Sequence, residues 1–295
     1  MSQYLNQIAV TQFDTMTKHD YQAEGVLRGL FRQRPNVTGS KITFNKMGKG
    51  MANKRTAPSS DVIAMNVDHN KVECNLEDWE ASEYTDIFKQ KEVLPDEVSE
   101  LAYTIKSAIG RRRDQIAIDA LSAGDYSATP SATQGMLIGT DIGGTSTNMN
   151  LEKLLAIKAY MDRKSIPKDG RCIAVHSDGL TGLLNETKTT SSDYNTVQAL
   201  VRGEIDTFLG FKFVYIPDME EGGLSHNGSG TYPVAGDVVD GFAFHKVAVG
   251  EAIGIEMQTA VDWIPNKKSY LSSGDFKGGA VIIDNTAVVK IQYTI

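Results

Sequence analysis

Among the side chains that act as nucleophiles, general bases or metal ligands, histidine and cysteine are the most common. The chain has five histidines and two cysteines. His176-Ser177-Asp178 has the composition of a catalytic triad, but triad members converge from different elements and are rarely neighbours in sequence. The histidines lack the His-Glu-x-x-His spacing of a zinc site, and neither Cys74 nor Cys172 has a second cysteine nearby. The sequence therefore predicts no catalytic residue, no metal, no cofactor, and two buried, reduced cysteines.

A second segment with the composition for chemistry is the glycine-rich stretch Gly139–Asn148. Its Asp-x-Gly-Gly-Thr motif at Asp141–Thr145 resembles the first phosphate loop of sugar kinases in the actin-like ATPase superfamily. In that superfamily the loop opens the domain, whereas here it follows a long predicted helix. We favour a flexible loop of glycine and threonine, and keep a sugar kinase as an alternative that nucleotide binding would test.

Composition and charge limit the class of protein. The 295 residues are 41% hydrophobic and 23% charged, with 30 Lys+Arg, 37 Asp+Glu and a net charge of −7, which predicts a folded globular chain. Apolar runs such as Met136–Ile138 are too short to span a bilayer, so no membrane association is predicted. The acidic balance argues against a surface that binds nucleic-acid phosphates everywhere. The Arg111–Arg113 triplet could contact nucleic acid, but a solvated face or ion pairs with Asp114 and Asp119 are favoured.

Hydrophobic periodicity locates the elements of the first half. Ala23–Phe31 has apolar residues at i, i+3 and i+4, which predicts a helix that ends before Pro35. Lys41–Glu92 alternates apolar and polar residues near its start and again at Lys71–Glu77, which predicts a long hairpin or extended arm. Leu94–Ser122 then predicts one nearly continuous helix, about 40 Å long, packed across a sheet.

The second half alternates between helix and strand patterns. Asn150 is a predicted N-cap for a helix over Leu151–Arg163. Glu221–Val234 is rich in glycine and serine, which predicts a mobile, exposed loop. The remaining predicted elements are a strand at Cys172–His176, short helices at Leu180–Leu184 and Asn195–Arg202, a strand at Phe211–Ile216, further elements at Phe242–Val249 and Ala252–Val261, and closing strands at Ala280–Ile283 and Val288–Tyr293.

This order of elements resembles the tailed-phage major capsid proteins of the Hong Kong 97 fold. In that fold an N-terminal arm precedes an extended E-loop, a spine helix and an axial domain. Lys71–Glu80 looks like the returning strand of the E-loop, and Leu94–Leu121 is similar to the spine helix. Further similar segments are Asn150–Leu155, Ile166–Pro167, Gly170–Val175, Gly203–Phe213, His245–Gly250 and Gly278–Ile291.

The resemblance implies a mixed α+β fold with four parts. These are an N-terminal arm over residues 1–40, an E-loop hairpin over 41–92, a peripheral domain with the spine helix over 93–150, and an axial domain with closing strands over 151–295. The C-terminal strands would complete the peripheral domain.

The resemblance also implies a structural function without enzymatic activity. Copies of the chain would self-assemble into pentamers and hexamers of an icosahedral shell around a double-stranded DNA phage genome, enclosing the DNA without sequence-specific binding. The implied partners are further copies, a scaffolding protein, a portal and decoration proteins. The expected location is the virion capsid, assembled in the host bacterial cytoplasm. An encapsulin-like nanocompartment shell shares the fold and is the alternative that neighbouring genes would distinguish.

Charges in the predicted hairpin are segregated by sign. Lys41–Ser60 contains bases and no acid, and Val72–Phe88 contains acids and no base. We predict that the basic tip of one subunit lies on an acidic surface of a neighbour, since the E-loop of the resembled family lies along the neighbouring subunit. The alternatives are two separately solvated faces or contact of the tip with DNA. The predicted interface residues are Lys46, Lys49, Lys54 and Arg55 on the basic side and Glu77, Asp78 and Glu80 on the acidic side.

Overall fold

The computed structural model of the chain describes residues 25–59, 61–90, 97–142, 148–185 and 207–295. Among these residues, no helix combines the length and apolar composition needed to cross a membrane. The helices are α1 (Ile87–Gln90), α2 (Glu97–Ser122), α3 (Leu151–Arg163) and α4 (Ser177–Asn185). The strands are β1 (Arg32–Arg34), β2 (Lys41–Met47), β3 (His69–Asn75), β4 (Glu77–Asp86), β5 (Tyr126–Ser127), β6 (Gly135–Ile138), β7 (Arg171–His176), β8 (Thr207–Phe208), β9 (Phe211–Ile216), β10 (Val238–His245), β11 (Val249–Ile264), β12 (Ser269–Ile282) and β13 (Val288–Thr294).

The long helix α2 lies on a four-stranded sheet with the strand order β1-β11-β12-β4. The last three strands are antiparallel neighbours, while β1 runs parallel to the start of β11. The predicted long helix packed across a sheet is therefore confirmed from Glu97 onward, and positions 94–96 of that prediction lie outside the described residues.

A glycine of β12 allows α2 to approach the sheet closely. Ile105 and Ile109 of α2 form a buried cluster with Ile253 and Phe276 of the sheet. A Cβ atom at Gly274 would collide with both α2 isoleucines. The bare backbone at this position is therefore what leaves room for the helix.

A seven-stranded sheet in the order β5-β6-β13-β10-β7-β9-β8 carries the main hydrophobic core. The predicted buried strand at Cys172–His176 is confirmed as β7, which is buried along its whole length and runs parallel to β9. The predicted N-cap is also confirmed, because the Asn150 side chain accepts the N–H of Lys153 at 2.8 Å.

The period-two segments form the predicted hairpin. β2 and β3 are antiparallel, with Ile42 opposite Cys74 and Phe44 opposite Val72. Phe44 and Cys74 are buried in a small cluster with Leu76. After Leu76 the chain enters β4, which pairs with β12 and so belongs to the sheet under α2. The acidic stretch therefore lies partly on the hairpin and mostly on the sheet.

The helix predicted at Ala23–Phe31 is wrong over its described part. Residues 25–31 form turns that lead into β1, and Gly29 has a φ of 81° that a helix does not contain. Leu27 and Phe31 are buried, and Phe31 stacks on Phe244 with ring centroids 5.2 Å apart. The apolar spacing thus reflects two separate anchors in the core.

Strand β12 is the largest element that the sequence did not predict. Only its last residues, at Ala280, were predicted as strand, because Ser272, Ser273, Gly274 and the later glycines interrupt any period-two pattern. Its conformation is fixed by hydrogen bonding to β11 and β4 on both sides. The helix predicted at Asn195–Arg202 lies outside the described residues.

The glycine-rich segment 221–234 is anchored at its start, so the prediction of a wholly exposed loop is wrong there. The Gly222 N–H donates to Gln115 of α2 at 2.8 Å, and Leu224 is buried. The Asp240 N–H donates to the Ser225 carbonyl at 2.9 Å. Only the later part of the segment is mainly exposed.

The arginine triplet of α2 supplies ion pairs within the chain. Arg112 lies 3.7 Å from Glu221, and its guanidinium stacks over Trp79 at 3.5 Å from the ring centroid. Arg113 is paired with Glu251 and, at 3.3 Å, with Glu256. The favoured interpretation of ion pairing is confirmed, although these acids come from distant segments and not from Asp114 or Asp119.

The helix–sheet contact at Gly274 predicts a specific cost of adding a methyl group. Gly274→Ala places a Cβ against Ile105 and Ile109, and such overpacking should lower the free energy of unfolding by about 1–3 kcal/mol. Urea unfolding of the unassembled subunit measures the change. Ser273→Ala, on the opposite face of the same strand, is the control and should change it by less than about 0.5 kcal/mol. Equal changes of the free energy of unfolding in the two variants would contradict close packing of α2 on β12.

The N-terminal turn is held to α2 by a buried carboxylate, which predicts a pH dependence. Asp114 accepts the N–H groups of Val26 and Leu27, at 2.6 Å for Val26. Burial raises the pKa of Asp114 to about 6 from 3.8, although those two N–H groups oppose the rise. Because the folded state binds the proton more tightly, this residue should make the fold more stable as the pH falls from 6 to 4, and less stable as the pH rises.

Two substitutions separate the charge of Asp114 from its role as acceptor. Asp114→Asn keeps an oxygen acceptor, so it should remove this pH dependence and leave the protein at least as stable at pH 7. Asp114→Leu leaves both N–H groups unpaired and should cost about 1–3 kcal/mol. Thermal unfolding from pH 4 to 7 measures both effects. An unchanged pH profile in Asp114→Asn would show that another group titrates.

Candidate subunit interface

The tip of the hairpin, residues 48–68, connects β2 to β3. Its described residues, 48–59 and 61–68, have no regular secondary structure, and nearly all of them are exposed. Lys49, Lys54 and Arg55 lie here, and none of them has an ion-pair partner among the described residues. Three of the four predicted basic interface residues are therefore free to meet another molecule.

The tip also presents an apolar surface that the charge argument missed. Val62 is 98% exposed, Met51 82% and Ile63 71%, and Met65 is also exposed. Large apolar side chains on an extended loop gain no stability in the isolated subunit, and patches of this kind mark interaction sites. The sequence signal was present as Val62-Ile63-Ala64-Met65, but it has no periodicity and does not indicate an element.

Lys46, the fourth predicted basic residue, is engaged within its own chain. Its Nζ lies 2.9 Å from Oδ1 of Asp284, in the turn before β13, and both side chains are partly buried. Burial raises the pKa of Asp284, but hydrogen bonds from Lys46 and Thr286 outweigh it and bring that pKa below the usual 3.8. Lys46 thus fixes the base of the hairpin, and the tip begins beyond it.

The predicted acidic residues Glu77, Asp78 and Glu80 all lie on β4, the edge strand of the sheet under α2. All three are exposed. Asp78 is paired with Lys277 of β12 at 2.9 Å, whereas Glu80 has no ion-pair partner among the described residues. The three acids lie close together on one strand. Among the described residues, none of them forms an ion pair with the basic tip of the same chain.

The candidate triad residues make structural contacts. His176 lies at the end of β7, and its Nε2 is 2.8 Å from the Asp218 carboxylate, while its Nδ1 accepts the Asp178 N–H at 3.3 Å. Within the described part of the chain, no group of three histidine, cysteine or acidic side chains is placed to hold a metal ion. This histidine therefore ties the start of α4 to the loop that follows β9.

The candidate phosphate loop can be followed only in part, because residues 143–147 lie outside the described residues. Nearby, the Lys153 ammonium is buried and donates to the backbone carbonyls of Asn148 and Gln292, at 3.0 and 3.1 Å. Burial lowers the pKa of Lys153 to about 8, and Asp141 opposes the fall. This lysine joins α3 to β13 through its hydrogen bonds.

Both cysteines are buried and unpaired, which confirms that part of the prediction. Burial raises the pKa of the Cys74 thiol to about 11, and burial also raises that of Cys172. Thiols with raised pKa values are poor nucleophiles at neutral pH. Both side chains therefore act as small apolar groups in their cores.

Comparison with known proteins gives a consistent result. A family model described as phage capsid protein matches residues 5–295. No curated protein matches the chain. Similar solved structures include the head of Helicobacter pylori bacteriophage KHP40, with a TM-score of 0.76, 10% identity and coverage of 99% of this chain and 98% of that one. The capsid of cyanophage P-SCSP1u has a TM-score of 0.72 and 14% identity, covering 99% and 94% of the two chains.

A structure from Mycobacterium phage Che8 also matches, with a TM-score of 0.68, 15% identity and coverage of 97% of both chains. At these identities the structures establish the fold, and they confirm the predicted Hong Kong 97-like architecture. The whole-chain family match favours neither the nanocompartment alternative nor the sugar kinase.

The Lys46–Asp284 pair predicts a modest effect on stability with a defined pH dependence. Lys46→Met should lower the free energy of unfolding by about 0.3–1 kcal/mol, as for other partly exposed pairs. Because the folded pKa of Asp284 is lowered, this contribution is present above the usual 3.8 and is lost as the pH falls through the folded value. Denaturant unfolding at pH 7 and pH 3 measures the difference. Lys49→Met, at an exposed position, is the control, and equal losses in the two variants would contradict the assignment.

Proposed function

The chain belongs to the phage capsid protein family, and from that premise we propose how its copies build the capsid shell. The chain is a major capsid protein, and it acts as a structural subunit and not as an enzyme. Its copies form hexamers and pentamers that close an icosahedral shell around double-stranded DNA. Four parts of the chain make these contacts. They are the arm, hairpin, peripheral and axial parts predicted from the sequence, over residues 1–40, 41–92, 93–150 and 151–295.

The observation that carries this proposal is the solvent exposure of the hairpin tip. A subunit that functions alone gains nothing from a connection of some twenty residues in which Met51, Val62 and Ile63 are 71–98% exposed. Each fully buried apolar side chain of this size contributes about 1.5–3 kcal/mol. A neighbouring copy in a shell would bury this surface, and the symmetry of the shell would repeat the contact at every subunit.

Charge then sets where the tip lies on the neighbour. Lys49, Lys54 and Arg55 carry three positive charges on the tip, while Glu77, Asp78 and Glu80 provide a negative strand on the neighbouring sheet. Lys46 supports this interface from the base of the hairpin and makes no contact with the neighbour. Exposed ion pairs contribute only about 0.2–1 kcal/mol each, so their effect comes from repetition and from excluding wrong orientations.

Further partners follow from the same function. A scaffolding protein would guide shell closure, a portal would occupy one vertex, and decoration proteins would bind outside. The enclosed DNA is held without sequence-specific contacts, which agrees with the net charge of −7. Assembly takes place in the cytoplasm of the host bacterium.

Charge reversal of the tip tests the proposed contact. Lys49→Glu, Lys54→Glu and Arg55→Glu together should leave the subunit folded and weaken its assembly into shells. The loss should be larger at low ionic strength, because salt screens exposed charges over about 10 Å at 0.1 M. Sedimentation of assembled particles measures the assembled fraction, and thermal unfolding checks the fold.

Reversal of the charge on Lys212 is the control, because Lys212 is an exposed base on β9 and lies outside the hairpin. Lys212→Glu should assemble as the wild type does. Normal assembly of the triple variant at low ionic strength would show that the tip makes no electrostatic contribution to the shell.

A further inference from the structure

We propose that a patch of basic side chains beside the seven-stranded sheet binds the phosphate backbone of the enclosed double-stranded DNA. The inference rests on the proposed function and adds the surface of the subunit that faces the genome. We call this surface the α3 patch, because it lies at the carboxyl end of α3 and on two loops beside that end. It comprises Lys158, Arg163, Lys164, Lys168 and Lys246.

Backbone contacts bring the two loops of the α3 patch together. One loop, residues 164–170, connects α3 to β7, and the other is the turn between β10 and β11. The Lys246 N–H donates to the Gly170 carbonyl at 2.9 Å. In addition, His245 Nε2 lies 2.9 Å from the carbonyl oxygen of Asp169. Lys246 therefore lies beside the loop that carries Lys168, although the two lysines are far apart in sequence.

One acid within the α3 patch is already paired by a buried arginine. The Arg171 side chain is 2% exposed, and its Nη2 donates to Oδ1 of Asp162 at 2.7 Å. That hydrogen bond holds the pKa of Asp162 below its usual value, and the charges of Lys168 and Lys158 act in the same direction. Both lysines are therefore close to Asp162, while Arg171 is the group that occupies the carboxylate.

The same arginine holds the loop after α3 in one conformation. Arg171 also donates to the backbone carbonyls of Pro167 and Ile166, at 3.0 and 2.6 Å. Lys168, the next residue of the loop, is thereby presented from a fixed backbone. A group positioned in advance loses less conformational entropy when it binds a ligand.

The bases of the α3 patch are available to a ligand. Arg163, Lys168 and Lys246 are exposed, and Lys158 and Lys164 are partly exposed. Within the part of the chain that the structure describes, none of the five forms an ion pair. Their charges are therefore not cancelled inside the subunit.

A polyanion is the ligand that suits this surface. The whole chain has a net charge of −7, yet here five bases from α3 and two loops outnumber the acids Asp162 and Asp169. Double-stranded DNA carries one negative charge per about 1.7 Å of its axis, and binding of bases to its phosphates releases counterions. Contacts of this kind read no sequence. They fit DNA that a shell encloses whatever its base order, and an acidic protein is the competing occupant.

Two neutral substitutions test the inference in the unassembled, full-length subunit. Lys168→Gln with Lys246→Gln removes two charges that lie outside α3, whereas Arg163 and Lys164 also stabilise the negative end of its dipole. Fluorescence anisotropy of a labelled duplex of mixed sequence measures affinity between about 50 and 200 mM salt. The slope of log affinity against log salt should become shallower by about 1.8, since each phosphate contact contributes about 0.9. Affinity at about 0.1 M salt should fall at least tenfold.

Lys267→Gln with Lys268→Gln is the matched control. Both residues are exposed lysines in the turn between β11 and β12, so this variant loses the same charge at another place. It should keep the wild-type salt slope. The slope is a readout that a merely structural role of Lys168 and Lys246 would not change. An unchanged slope in the patch variant, or equal changes in the patch and control variants, would overturn the inference.

Two further measurements address the competing assignments. Lys49→Gln with Lys54→Gln removes two charges from the hairpin tip. Loss of DNA affinity in this variant, together with wild-type affinity in the patch variant, would assign the DNA contact to the tip and overturn the inference. Poly-glutamate with the same number of charges as the duplex represents an acidic protein. Tighter binding of poly-glutamate than of the duplex to the wild-type subunit, lost in the patch variant, would also overturn it.

A cryo-electron microscopy reconstruction distinguishes failure of this inference from failure of the proposed function. The wild type and Lys168→Gln with Lys246→Gln should both form shells, with the α3 patch on the inner surface. Shells that carry the patch on the outer surface would reject this inference alone. A wild-type protein that forms no shells would reject the proposed function together with it.

Discussion

The close contact between α2 and β12 is the constraint on which the rest of the subunit depends. Gly274 lets Ile105 and Ile109 approach the sheet, so one face of β4, β12 and β11 is sealed by the helix. The opposite face of the same strands is then left to solvent. The contact also fixes the direction of β4, and the chain enters β4 directly from the hairpin that ends at Asn75. One packing interaction thereby positions both the base of the hairpin and β4, the strand that we propose as the acceptor of a neighbour's tip.

The subunit is stabilised in two different ways. The seven-stranded sheet with α3 and α4 has a large buried core, which includes charged groups held by hydrogen bonds such as Lys153. The tip, residues 48–68, has no such core and exposes both charge and apolar area. Surface of this kind is costly in isolation and gains stability only when copies associate. The division agrees with a protein whose function is assembly, because its interaction surfaces stay separate from the core that keeps each copy folded.

Much of the fold could be predicted wherever a local pattern determines the structure. The alternation around Phe44 and Cys74 predicted the β2–β3 pair, and the 3.6-residue period predicted α2. Elements fixed by distant contacts could not be predicted in this way. Strand β12 has serines and glycines that suit a loop, and its two neighbouring strands make it a strand. Residues 25–31 have helical spacing, but Leu27 and Phe31 are used as separate anchors.

The candidate interface shows the same limit. Sign segregation selected Lys49, Lys54, Arg55 and Glu80 as candidates, because it is visible along the chain. The pairing of Lys46 with Asp284, and of Glu80 with Asp275, depends on the register of strands far apart in sequence. Apolar residues on the tip were overlooked, because an irregular apolar run indicates no element.

The most direct test of this account is a cryo-electron microscopy reconstruction of particles formed by the purified protein. The account predicts a closed icosahedral shell in which the tip around Lys54 and Val62 of one subunit lies on β4 and β12 of its neighbour. Monomers that form no shell would contradict the function. A closed shell in which the tip points to the interior or packs on its own subunit would contradict the proposed contact.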